Sequence, residues 1–256
     1  MTGIAELERD IFYVQSVLGL VYTLNFTQNS TYLHRIDMRP FASTGSAEVT
    51  PYLFALPEVQ VPNGLTALKS SCDTLLMADS GAGLIYRVNA RTGAYEVALD
   101  DPLLKPIPGS KPAFGVNEVK IRGDELYFSS SNQALLGKVH IDLESDKPKG
   151  PVQVIATNLT GADDFAIDPR EGSVWLARNV PGIVDHVLLD GRAETVIGGN
   201  SSLALTGPVS ATFGRGKGQE TTLFITTDGL SFVANGTRLT SNGKVVSLET
   251  GCAKGH

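Results

Sequence analysis

Cysteine and positive charge are both scarce in this 256-residue chain, and each scarcity excludes something. The 2 cysteines, Cys72 and Cys252, are too few to frame a disulfide-stapled fold. The 21 Lys and Arg against 27 Asp and Glu leave a net charge of −6, and no basic cluster interrupts it, so nucleic acid is not an expected partner. No apolar run approaches the roughly 18 residues that a spanning helix needs, so no membrane is expected as a partner either. No segment keeps a 3.6-residue apolar period between its apolar runs, which argues against an α/β fold. No G-x-S-x-G elbow appears, and Cys72 has no histidine placed to activate it. His34, His140 and His186 fall at the same place in three different repeats, which fits half-buried strand histidines rather than one site.

A repeated phrase is what the chain does have. It reads GIAEL (Gly3 to Leu7), VPNGL (Val61 to Leu65), GVNEV (Gly115 to Val119), GADDF (Gly161 to Phe165) and GPVSA (Gly207 to Ala211), in steps of 58, 54, 46 and 46 residues. About ten residues after each copy comes an apolar run, from Asp10 to Val14, Thr74 to Ala78, Glu125 to Ser129, Ser173 to Ala177 and Thr222 to Thr226. Third runs begin at Tyr32, Leu84, Leu136, Ile183 and Gly243, and a fourth run closes four of the five units. Turn residues such as Arg91-Thr92-Gly93 and Leu189-Asp190-Gly191 bound them. Trp175, in an apolar second run, reads as core. Short antiparallel runs in units of this length predict an all-β fold: a β-propeller of five recognisable four-stranded blades in a single domain over residues 1–256.

In a propeller the loops leading into first strands and those joining second to third strands share one face. That face is predicted to gather Asn63, Asn117, Asp163 and Asp164 with Asp79, Ser80, Ser130, Asn132, Asn179 and Asp228. Phe114, Phe165, Phe213 and Tyr127 lie near them in sequence. A mostly apolar mouth with a few converging polar groups is the default small-molecule site. Asn117 and Asp163 are the candidate catalytic residues, and Asn63, Phe114, Phe165, Asp79, Asn179 and Phe213 the candidate substrate contacts. Sequons at Asn25, Asn29, Asn158, Asn200 and Asn235 are expected in loops and suggest secretory ancestry, although Met1 runs directly into the first repeat with no leader pattern.

The stretches NGLTAL (Asn63 to Leu68), LLMADSGAGLIYRVNARTG (Leu75 to Gly93), GVNEVKIRGDELYFSSS (Gly115 to Ser131), GADDFAIDPREGSVWLARN (Gly161 to Asn179) and TGPVSATFGR (Thr206 to Arg215) resemble the fungal branch of the senescence-marker-protein/gluconolactonase-like propellers. The resemblance implies six blades, the first of which would precede Gly3. It also implies one of two chemistries. Metal-dependent lactonases of the family hold a divalent cation, Ca or Mg here, and Asn117 and Asp163 match their Asn and Asp ligands, with Asn63 in the preceding blade. Their first-blade Glu has no counterpart beyond Ala5 or, shifted by one, Glu6. The fungal branch is similar to hetero-Diels–Alder enzymes of secondary metabolism, which join a quinone methide to a terpene alkene and need no cofactor. The residues alone leave open cycloaddition or lactone hydrolysis of a small-molecule substrate, and small-molecule or protein binding without chemistry.

Overall fold

The structure is a computed structural model that describes residues 2–20, 25–68, 71–142, 147–199, 203–232 and 238–251. It is an all-β, propeller-type fold whose strands follow the chain in order. The first sheet contains β1 (Ile4–Glu8) and β2 (Ile11–Ser16), then a separate two-stranded ribbon, β3 (Gly19–Leu20) and β4 (Asn25–Phe26), then β5 (Tyr32–Asp37) and β6 (Glu48–Ala55). The second holds β7 (Pro62–Ala67), β8 (Thr74–Asp79), β9 (Leu84–Asn89) and β10 (Tyr95–Leu99). The third holds β11 (Val116–Arg122), β12 (Glu125–Ser130), β13 (Leu135–His140) and β14 (Gln153–Ala156). The fourth holds β15 (Ala162–Ile167), β16 (Val174–Arg178), β17 (Ile183–Val187) and β18 (Ala193–Gly198). In the fifth, β19 (Pro208–Phe213), β20 (Thr222–Thr227) and β23 (Lys244–Glu249) form a three-stranded sheet, while β21 (Leu230–Phe232) and β22 (Arg238–Thr240) make a second ribbon. Each sheet is an antiparallel meander, as the repeat predicts. Among the described residues the helical content is one short turn, α1 (Phe41–Thr44), and a 3-10 turn at Pro102–Leu104.

The residue patterns explain these elements. Every side chain of β8 is buried, so both faces of a second strand are covered and its sequence reads as an unbroken apolar run, Thr74 to Ala78, rather than alternating. Outer strands such as β6 and β18 are mostly exposed and carry Glu, Thr and Pro freely.

Two compact units divide the chain: Met1–Gln133 with Lys138–Gln153, and Ala134–Gly137 with Val154–His256. In the first unit β1 packs on β7 and β7 on β11. Its core includes Leu33, Leu56, Leu65, Leu75, Met77 and Val88, each worth roughly 1.5–3 kcal/mol on burial. In the second unit β15 packs on β19 around Trp175, Val184, Leu205, Leu223 and Ile225. Trp175 is core, as its run predicts, and its ring stacks on His186 at 4.5 Å. His34 and His186 are half-buried strand residues, whereas His140 is exposed because it ends β13 at the surface.

Candidate functional site

All five first strands slip register against their second strands, four of them at the third or fourth position of the repeated phrase. Pairing jumps from Pro62 to Leu65, from Val116 to Val119, from Ala162 to Phe165 and from Pro208 to Ser210. The skipped positions are Asn63 and Gly64, Asn117 and Glu118, Asp163 and Asp164, and Val209. A bulge frees side chains and backbone groups from the ladder and re-aims them, which is why the polar column varies while its frame stays apolar. In β1 the slip lies instead between Glu6 and Glu8, past the phrase's polar positions. Ala5 is buried, and the Glu6 carboxylate accepts the Asp10 amide at 2.8 Å across the hairpin.

In the first unit these bulges are joined by hydrogen bonds that run from sheet to sheet. Gln15, fully buried at the end of β2, donates through Nε2 to the Asn63 carbonyl. Asn63 Nδ2 donates to Ser80 Oγ at 3.2 Å, and Ser80 Oγ donates to the Val116 carbonyl at 2.7 Å. Asn117 Nδ2 donates to Ser131 Oγ at 2.9 Å. Two glycines permit this closeness. A Cβ on Gly3 would sit 2.2 Å from the Asn63 carbonyl, and one on Gly64 would sit 2.6 Å from Glu118 Cα. Two amide oxygens in this run, Gln15 Oε1 and Asn117 Oδ1, are buried without a hydrogen-bond partner.

Buried carboxylates here are occupied. Asp79 accepts four backbone amides, from Gln60, Val61, Gly81 and Ala82, at 2.8–3.2 Å. Those bonds shape the turn after β8 and account for Asp79 without a ligand. Glu118 Oε1 accepts the Val119 amide at 2.9 Å and faces Lys120 Nζ at 3.2 Å. Asn132, another residue of the expected face, clamps a loop: its Oδ1 accepts the Phe114 amide at 2.9 Å and its Nδ2 donates to the Pro112 carbonyl at 3.1 Å. Phe114 itself is half-buried and meets Phe26 of β4, ring centroids 6.5 Å apart. Tyr127 is buried and donates to Glu125 at 2.8 Å; burial first, then Glu125, pushes its phenol up to about 12.

In the second unit Asp164 bridges two first strands. Its Oδ1 accepts the Phe165 amide at 2.6 Å, and its Oδ2 accepts Ser210 Oγ at 2.5 Å and the Ala211 amide at 3.2 Å. Asp163 is half-buried beside it. Asn179 and Asp228 come together, Nδ2 to Oδ2 at 3.4 Å, as their shared loop position predicts. Phe165 is fully buried and Phe213 belongs to the core around Leu223, so packing accounts for both and neither lines an open wall. Past the bulge Phe213 alternates with the exposed Thr212, whereas Phe165 lies in a run, Asp164 to Ala166, that is buried on both faces.

Sequence reasoning passed over Gln15 and Phe26. The only sign of Gln15 is a lone amide closing the apolar run Ile11 to Ser16. Phe26 carries no sign, since it sits inside a sequon. Of the sequons, Asn29 and Asn158 are exposed at turns, Asn25 is exposed on the β4 ribbon rather than in a loop, and Asn200 and Asn235 lie outside the described residues. Cys72 is exposed, and Cys252 lies outside the described residues.

A divalent cation wants carboxylate and carbonyl oxygens together. Glu6, Asp79, Glu118 and Asp164 are engaged by amides, a hydroxyl or an ammonium, while the expected ligands are Asn117, whose Oδ1 is buried without a partner, and the half-buried Asp163. Among the described residues no three His, Cys, Asp or Glu side chains converge.

No protein-family model matches the chain. It is similar to a Phoma sp protein named "Putative hetero-Diels-Alderase", 28% identical over 190 residues, which make up 67% of this chain and 53% of that protein. The match therefore spans about half the length of this curated relative. Among solved structures, a chain of a nidogen/laminin complex superposes with a TM-score of 0.61 at 14% identity, over 97% of this chain and 75% of that one. Virginiamycin B lyase from Staphylococcus aureus does so with a TM-score of 0.54 at 14% identity, over 97% and 69%. At such identities these two speak for the fold.

Proposed function

We propose that the chain belongs to a cofactor-independent hetero-Diels–Alder catalyst of fungal secondary metabolism, one that couples a polyketide-derived quinone methide to a terpene alkene. The observation that carries this reading is the similarity to the Phoma relative over two thirds of the chain. The proposal extends to a six-bladed whole protein, of which this chain carries five blades.

The reaction's electron count suits a site whose buried carboxylates are already engaged. Four π electrons of the C=C–C=O unit and two of the alkene rearrange into one new C–C bond, one new C–O bond and one new C=C π bond, which restores the aromatic ring. Nothing leaves, and no proton or redox equivalent is exchanged. Lactone hydrolysis, in contrast, needs an activated water, and Asp79, Glu118 and Asp164 are tied to backbone amides. The site's work is then orientation: holding two reactants in attack geometry supplies much of the barrier reduction. Asn117 Oδ1, a buried acceptor without a partner, would anchor a hydroxyl of one reactant, with Asn63 beside the same run of hydrogen bonds and Asp163 and Asn179 serving the second unit's face.

The test is to generate an ortho-quinone methide in the presence of a cyclic terpene alkene, with and without the purified chain. An enantioenriched dihydropyran, formed above the background rate and unaffected by EDTA, is the expected outcome. A racemic adduct at the background rate would overturn the reading. Turnover abolished by chelation, or hydrolysis of simple aldonolactones, would favour the lactonase instead. Tight binding without turnover would favour a non-catalytic propeller.

A further inference from the structure

Phe26 and Phe114 come from distant parts of the first unit, the β3–β4 ribbon and the loop leading into β11, yet their rings lie 6.5 Å apart at an interplanar angle of 46°. This is near the outer limit for an aromatic pair. Both rings are only half-buried. Each is held from its own side. The Phe114 amide donates to Asn132 Oδ1 and its carbonyl accepts the Asn132 amide at 2.9 Å. The ribbon is pinned by Thr27 N–H to the Leu18 carbonyl at 2.8 Å, by Leu18 N–H to Ser30 Oγ at 3.1 Å and by Ser30 Oγ to the Thr27 carbonyl at 2.6 Å. Gly19 backs Phe26, where a Cβ would come within 2.9 Å of Phe26 Cα. Three residues on from Phe114, Asn117 is 6% exposed and its Oδ1 has no hydrogen-bond partner.

We propose that Phe26 and Phe114 form an aromatic wall for a planar unsaturated ligand whose hydroxyl donates to Asn117 Oδ1, so that this face selects phenols. The proposal rests on the reading of this face as the substrate site. It adds the ribbon to that site and names the reactant it serves, the phenolic precursor side of the coupling rather than the saturated parts of the terpene.

The test uses three probes in ligand-observed NMR titrations of the full chain: 2-naphthol, its methyl ether and the saturated decahydro-2-naphthol. The unmodified chain should bind 2-naphthol about five-fold more tightly than either analogue. Phe26→Ala should weaken 2-naphthol about five-fold and Phe26→Tyr should restore it. Asn117→Leu should lower 2-naphthol to the level of the ether while leaving the ether unchanged. Circular dichroism and melting curves on each variant keep misfolding separate from lost binding. Equal binding of the saturated alcohol, or of 2-naphthol by Phe26→Ala, overturns the aromatic wall, and so does a chain that binds none of the three probes. Because these are binding measurements, a chain that selects 2-naphthol but produces only racemic adduct would retain this inference and sink the proposed reaction.

Discussion

Gln15 Nε2 reaches over Gly3 to the carbonyl of Asn63, joining the second strand of one sheet to the bulge of the next. The geometry requires hydrogen at Gly3 Cα, because a Cβ would lie 2.5 Å from Gln15 Nε2 as well as against the Asn63 carbonyl. Gly3→Ala should therefore cost about 1–3 kcal/mol by overpacking. Gln15→Leu should cost about 1–3 kcal/mol by leaving that carbonyl without its donor. Urea unfolding checks both; midpoints equal to the parent's would show that the bridge contributes nothing.

Adjacent acids at the fourth-sheet bulge should behave differently. Asp164→Ala strips the acceptor from the Phe165 amide, Ser210 Oγ and the Ala211 amide. A loss of about 2–4 kcal/mol is expected, or roughly 4–16 °C in melting temperature. Asp163→Asn, which keeps the shape of the side chain, should cost less stability than Asp164→Ala while lowering turnover about ten-fold. Thermal melts paired with initial rates distinguish the two, and equal melting losses would end the assignment of separate roles.

Acid should weaken the fold in two stages. His34 Nδ1 accepts the Tyr52 amide at 3.0 Å, which leaves Nε2–H to donate to Ser16 Oγ at 2.7 Å. Burial lowers the His34 pKa from its ordinary value. A lowered histidine contributes stability that is present above its unfolded value, about 6.5, and lost as pH falls toward the folded value. At Asp168 burial pulls the pKa upward, but the Arg170 bonds outweigh it and the net shift is downward. Its contribution is present above about 4 and lost below that as the carboxyl protonates. Chemical unfolding from pH 8 to 3 should show both slopes, with His34→Gln flattening the first and Asp168→Asn the second.

Alkali acts on the buried phenols Tyr13, Tyr86 and Tyr127, all raised by burial. Burial, followed by the charge of Asp79, raises Tyr86 to about 12, and burial with the bond to Glu125 raises Tyr127 to about 12. Stability tied to raised phenols is complete below about 10 and falls as pH climbs from there toward the folded values. Phenolate absorbance of the native chain should therefore stop short of full ionisation at pH 11 and complete on adding urea. Full ionisation without urea would contradict the burial of these rings.

The sequence by itself determined the blade strands, their antiparallel order and the five-fold repeat, but not the β3–β4 and β21–β22 ribbons. Those features depend on local alternation and turn chemistry, and the third runs at Tyr32–Asp37 and Leu84–Asn89 keep their bounds in the structure. It also marked the phrase's third and fourth positions as special, because they break an otherwise apolar frame. Only the tertiary structure decided what each of those residues does. Asp79 and Asp164 read as site carboxylates, but backbone amides from neighbouring turns and strands claim them. Phe165 and Phe213 read as walls, but packing buries both. Gln15 and Phe26 read as nothing in particular, because their importance lies in partners such as Asn63 and Phe114, which long-range packing alone brings within reach.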